Sequence, residues 1–413
     1  MSGEALQPTT ETVVARLNRL SALATAVCTT VVLVAMTYLS QSHVNEVSDL
    51  PEYALAGILF LEGRGAELYD VRQISAAREQ MFPEVRHREF GFLGPPPSLP
   101  IMAPLALCPW PILTVLWILI LSASAVGSYV ICLRLFGSFG FIGNLFWWSG
   151  LMLSGPLFEA LHIGQMSPLF LFALTAWAKA MRSGMVVPAA FALAFFVLKP
   201  HLAVPLGLFL LGAGRYRAVT VTCAIVAALG LIALAVDGPS VYVAYAKLMS
   251  ELGSNTAPIQ PELCATVLGQ LMRMPGMDNT QAELVARLVA VFAWIGCFLW
   301  GRVMKQSPGW LDAGLIVVVP LTLVTSLHSH FYDVLLLLPS LMACFRTKWA
   351  GSSPLVLRVA IVIGLALFTI PIYALIHYQY LLKGGVINPY FLALFAYAIW
   401  VAAAAWKFRE DFR

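Results

Sequence analysis

The chain has 413 residues, of which 60% are hydrophobic and only 11% charged, with a formal net charge of +4. A soluble domain carries about 25% charged residues, so a soluble globular fold is excluded. Long apolar runs replace the short alternating segments of a membrane β-barrel, which leaves an all-α polytopic membrane protein. No loop carries a dense basic run with interleaved aromatics, so nucleic acid is not an expected partner.

A polar tail, 1–20, carries Arg16 and Arg19 and leads into the apolar run Ser21–Ser40. That run is about 20 residues, long enough to span and longer than a signal-peptide core, and it reads as an uncleaved first helix. Further spans are expected at 111–133, 139–158, 166–181, 184–199, 201–213, 218–236, 284–301, 310–327, 331–345, 355–378 and 389–407. Alternate loops then hold Arg134; Arg182; Arg215 and Arg217; Arg302 and Lys305; Arg346 and Lys348. The positive-inside rule makes that side cytoplasmic, along with both termini. The expected organisation is one transmembrane domain of about twelve helices over 21–407, with a short tail at 408–413. The long loops 41–110 and 237–283 lie outside.

The first outer loop concentrates acids, among them Glu46, Asp49, Glu52, Glu62, Glu67, Asp70, Glu79, Glu84 and Glu89. Asp49 stands just before Pro51 and an apolar stretch ending at Gly63. That stretch is expected to lie as an amphipathic helix on the outer membrane surface, with a second surface helix near 73–81. Asp49 can simply cap the helix, or act as a general base above the membrane. Downstream, Pro95, Pro96, Pro97, Pro100, Pro104, Pro109 and Pro111 forbid one continuous helix from 98 to 133.

Three other places can carry chemistry. Leu198-Lys199-Pro200-His201 interrupts a long apolar run. A lysine there either snorkels to the interface or serves as a cation for a lipid-linked phosphate, beside backbone N–H groups freed at Pro200. Ser326-Leu-His328-Ser-His330-Phe-Tyr-Asp333 sits at an outer junction. It reads as polar caps, as substrate contacts from His328, His330 and Asp333, or as a metal site, although one short stretch rarely supplies a complete one. Glu159, His162 and Gln165 lie at another outer junction, where they serve either a site or the scaffold. Of seven cysteines, only Cys264 falls in an outer loop, without a partner there. No metal or other cofactor is expected. Nucleotide-binding loops and a Gly-x-Ser-x-Gly elbow are absent.

These places, in this order, resemble glycosyltransferase family 87 of the GT-C class. The resemblance rests on Asp49-Leu-Pro-Glu-Tyr53, Gly65-Ala-Glu-Leu-Tyr69-Asp70, Pro95-Pro96 with Pro104-Leu-Ala-Leu107, Gly164-Gln165, Leu198-Lys-Pro200 and Ser326-Leu-His328 to Tyr332-Asp333. Leu327 stands where the family usually has proline. The resemblance implies a GT-C fold and an inverting transfer from a polyprenyl-phosphate sugar, mannose foremost, to a lipid or glycan acceptor outside the plasma (inner) membrane. It assigns Asp49 as the base. Tyr53, Glu159, His162, Gln165, Lys199, His201, His328, His330 and Asp333 become candidates for binding donor and acceptor. A secondary transporter or another lipid-linked-glycan enzyme, such as a polymerase or ligase, are the competing classes. A transporter would need ionisable groups near mid-membrane, whereas these acids crowd the outer face.

Overall fold

The computed structural model describes residues 49–83, 92–252, 264–347, 369–381 and 384–412. The expected span 21–40, most of 355–378, and the loop acids Glu46, Glu84 and Glu89 fall outside those residues. Among the described residues the chain is helical, and the only β pairing is an isolated bridge between Ser154 and Thr369.

Among the described residues, four helices are long and apolar enough to cross a membrane: Trp110–Phe136, Tyr216–Asp237, Asn279–Met304 and Pro389–Lys407. Their ends follow from local chemistry. Pro111 occupies the first turn of the first, where a missing N–H costs nothing. Gly137 follows it in the left-handed region, at φ +78. The Asp278 side chain accepts from the Gln281 N–H, and Asn388 accepts from Tyr390 and Phe391, satisfying orphan donors at two N-termini. The third helix exposes Leu284, Leu288, Phe292, Ile295 and Leu299. That spacing forms one apolar stripe, the face expected of a helix turned to lipid.

Between these lie shorter helices, including Ser167–Arg182, Pro200–Gly212 and Trp310–Thr325. The last is buried over nearly its whole length. Pro200–Gly212 crosses Asn279–Met304 at a pair of glycines. A Cβ on Gly212 would overlap the Phe298 carbonyl, and one on Gly301 would overlap the Phe209 carbonyl. The backbones meet because neither residue has a side chain, the usual device where helices pack without a hydrophobic drive.

Several expected elements change shape. The 139–158 segment divides into Gly140–Met152 and Gly155–His162. The 184–199 segment is a helix, Val186–Ala194, that tightens into a 3-10 turn at Phe195–Leu198 before the chain restarts at Pro200. Residues Pro96–Leu107 form three short broken turns, as their prolines require. The largest correction concerns the first loop. Its helix forms at Leu50–Leu61, but nine of its twelve residues are buried, Pro51 and Glu52 included. It is enclosed by protein rather than laid on a surface, because Ala54, Leu55, Ala56 and Gly57 give it apolar or small groups on every side. The second helix, Val71–Met81, also turns inward at Ile74, Ala77 and Arg78. Arg78 donates to Glu52 at 3.0 Å in a buried ion pair.

The basic loops gather at one end of the bundle. Arg182 bonds the Leu135 carbonyl and pairs with Asp312. Arg215 lies 4.5 Å from the Trp310 ring centroid. Arg346 bonds the Ser138 carbonyl, and Gly309 bonds Phe412 near the C-terminus. The helix Ser167–Arg182 runs from the candidate site to this basic end, about 24 Å at 1.5 Å per residue.

Candidate active site

Asp49 sits at the start of the first-loop helix, 7% exposed. Its backbone N–H donates to the Ile163 carbonyl at 2.8 Å, which ties the loop to the turn at Ile163–Met166. Its side chain makes no capping bond to its own helix. The carboxylate instead accepts from Gln165 Nε2. One turn further on, the Tyr53 hydroxyl donates to Gln165 Oε1 at 3.1 Å. Trp117 supports the arrangement: its ring lies 6.0 Å from that of Tyr53, and its Nε1 donates to the Gly164 carbonyl at 2.8 Å. Gly164 takes φ +71, so the turn that aims Gln165 requires a residue without a Cβ.

Asp333 anchors a second network and is fully buried. Lys199 Nζ donates to Oδ1 at 2.8 Å and to Oδ2 at 2.9 Å. Ser167 Oγ donates to Oδ1 at 2.6 Å, and the His330 backbone N–H to Oδ2 at 3.2 Å. Asp333 is expected from the sequence to contact substrate hydroxyls; its oxygens face protein donors instead, as the counter-ion of Lys199. Lys199 is therefore not a bare cation. Its ammonium lies 4.9 Å from the Tyr332 ring centroid and 5.6 Å from that of Phe170.

Tyr332 joins the two networks. Its phenol is within electrostatic reach of Asp49, Tyr53 and Asp333, while its ring carries Lys199. The histidines complete this end. The His201 ring lies edge-on to the His328 ring at 6.2 Å. His328 and His330 are 4.8 Å apart and nearly perpendicular. His328 is half-buried as a residue, yet its Nδ1 is enclosed without a hydrogen-bond partner. Burial, with the Lys199 charge adding to it, lowers the His328 pKa to about 4 against a smaller opposing pull from Asp333. The imidazole is neutral at physiological pH.

Glu159 and His162 come from the helix that leads into the Ile163–Met166 turn. Both lie on Gly155–His162, where His162 stacks on Phe158 at 5.7 Å. Glu159 is within electrostatic reach of Tyr390. Three contributors have no site role assigned from the sequence: Ser167, Tyr332 and Cys264. Ser167 stands two residues beyond Gln165, which was the available signal. Cys264 is brought in from the stretch just before Val267–Met272, with Sγ 3.7 Å from His330 Nδ1.

Residues 92–326, more than half of the chain, match glycosyltransferase family 87. The chain belongs to that family. No curated protein and no solved structure matches it. As a family 87 member it is an integral membrane glycosyltransferase. The matched stretch holds Glu159, His162, Gln165, Lys199 and His201. Asp49 and Tyr53 precede it, and His328, His330 and Asp333 follow it. The fold returns these outlying residues to Gln165 and Lys199, within the family's matched stretch.

Proposed function

We propose that this glycosyltransferase moves a sugar, mannose foremost, from a polyprenyl-phosphate donor to a lipid or glycan acceptor. The transfer takes place at the extracytoplasmic face of the plasma (inner) membrane and inverts the anomeric centre. Asp49 is the general base. The acceptor hydroxyl attacks the anomeric carbon, the bond from that carbon to the phosphate oxygen breaks, and Asp49 takes the hydroxyl proton. One base and no covalent intermediate is the arrangement an inverting transfer needs.

The observation that carries the reading is how Asp49 is held. Its carboxylate is not spent on capping its helix and is oriented by an amide that Tyr53 fixes. A base must be ionised and positioned before its substrate arrives. Lys199 donates twice to Asp333, which leaves a third N–H for a phosphate oxygen. His201 and the 328–330 turn flank that position. The gathering of basic loops at the far end, about 24 Å from Ser167, supports an outward-facing site under the positive-inside rule.

The test is Asp49→Asn in membranes supplied with a labelled polyprenyl-phosphate sugar. Loss of transfer by roughly 10²- to 10⁴-fold is expected for removal of a general base, with donor binding retained. Transfer at the unaltered rate would remove Asp49 from the mechanism.

A further inference from the structure

Cys264, His328 and His330 converge although Cys264 is remote from the histidines in sequence. One ligand atom from each lies within 4.8 Å of the others. The thiol is fully buried, and its Sγ lies within thiol–imidazole hydrogen-bond reach of His330 Nδ1, at 3.7 Å. The same separation suits two ligands of one ion. A tetrahedral zinc with Zn–S of about 2.3 Å and Zn–N of about 2.05 Å sets sulfur and nitrogen about 3.6 Å apart.

We propose that Cys264, His328 and His330 form a binding site for a soft divalent cation, Zn(II), with the fourth position left to an exogenous oxygen ligand.

Several features build the site before any ion arrives. The backbone carbonyl of Cys264 accepts from Asn388 Nδ2 at 3.1 Å. The Asn388 backbone N–H donates to Gln270 Oε1 at 2.8 Å. Two side chains thus clamp the loop that carries the thiol. The adjacent helix start is fixed by Thr266, whose hydroxyl accepts from the Gly269 N–H at 3.1 Å. The histidine turn is held by Asp333, through the His330 N–H, and by Ser326, whose hydroxyl accepts from the His328 N–H at 3.2 Å. His330 is braced by its stack on Tyr332, at 5.3 Å.

A second observation points to a ligand. His328 Nδ1 is enclosed and makes no hydrogen bond, an arrangement that ordinarily costs about 1–3 kcal/mol. The ligand chemistry is selective. One thiolate and two imidazoles suit zinc, and suit magnesium or calcium poorly, since those take oxygen ligands. Three protein ligands with an open position is the pattern of a working zinc site rather than a closed structural one. Binding would displace the Cys264 thiol proton to solvent and leave a thiolate on the ion. The 326–333 stretch alone offers two ligands, too few for a zinc site; the third arrives from a different loop.

The site can fail while glycosyl transfer stands, and the reverse, because the readout is metal content. The full-length protein, purified in detergent under reducing conditions, is expected to retain about one zinc per chain through gel filtration. Cobalt(II) supplied to the stripped protein should give a thiolate-to-cobalt charge-transfer band. Cys264→Ser and His330→Ala should each lose both signals while still eluting as folded protein, and zinc should raise the melting temperature of the native chain alone. His162→Ala, outside the cluster, should keep both signals. A native protein that takes up neither metal overturns the proposal, and so does a cobalt band that survives in Cys264→Ser.

Discussion

The Tyr53 hydroxyl donates to Gln165 Oε1, and that bond decides which end of the amide faces Asp49. With the oxygen engaged, Nε2 is left to donate to the carboxylate. A reversed amide would point its oxygen at Asp49 and repel it. Tyr53→Phe should therefore lower kcat by about 5-fold, the worth of one neutral hydrogen bond of about 1 kcal/mol. Gln165→Leu, which removes both bonds, should cost more. The measurement is steady-state transfer at saturating donor. A change confined to KM would remove the positioning role.

Lys199 and Asp333 form a buried pair. Breaking such a pair from one side strands a charge and costs about 3–5 kcal/mol, whereas removing both charges is far milder. Lys199→Met should lower the thermal unfolding midpoint in detergent sharply. Lys199→Met with Asp333→Asn should recover much of that loss. Activity should not recover in the double variant if Lys199 also contacts the donor phosphate. Additive midpoints would show that the two charges are not coupled.

Gly212 and Gly301 let two helices meet backbone to backbone. Alanine at either position places a methyl group against a facing carbonyl. Overpacking of this kind costs about 1–3 kcal/mol. Each variant should elute less uniformly in detergent and melt at a lower temperature. Gly207→Ala, where an added Cβ meets nothing, is the control and should behave as the native chain.

The enclosed His328 gives stability a pH dependence. Its folded pKa, about 4, lies below the unfolded value of about 6.5. The unfolded chain takes up a proton first as the pH falls. Stability from this group is present above about pH 6.5 and is lost as the pH falls toward 4. In zinc-stripped protein the melting temperature should drop between pH 7 and pH 5, and the drop should shrink in His328→Asn. An equal drop in both proteins would assign the effect elsewhere.

Sidedness is testable in a cysteine-free background that keeps the fold. Met274 is exposed near the site end, and Arg217 is exposed among the basic loops. A membrane-impermeant maleimide applied to intact cells should label Met274→Cys and leave Arg217→Cys unlabelled. The opposite pattern would invert the proposed topology and place Asp49 in the cytosol.

Much of this was legible in the chain itself. The shortage of charge and the length of the apolar runs determined a helical membrane protein, because hydrocarbon leaves no other partner for backbone groups. Proline spacing determined the breaks at Pro96–Leu107 and at Pro200, since a missing N–H acts locally. The order of Asp49, Gln165, Lys199 and the 328–333 turn was enough to suggest the family. Only the tertiary structure decided what those groups touch. Lys199 read as a lone cation until packing set Asp333 against it, and the first-loop helix read as a surface element until its apolar faces were found covered. Cys264 had no partner within its own loop and acquired one from residues more than sixty positions away. Propensity and periodicity act over a few residues. Ion pairing, burial and shared ligation depend on distances across the fold, which no local pattern records.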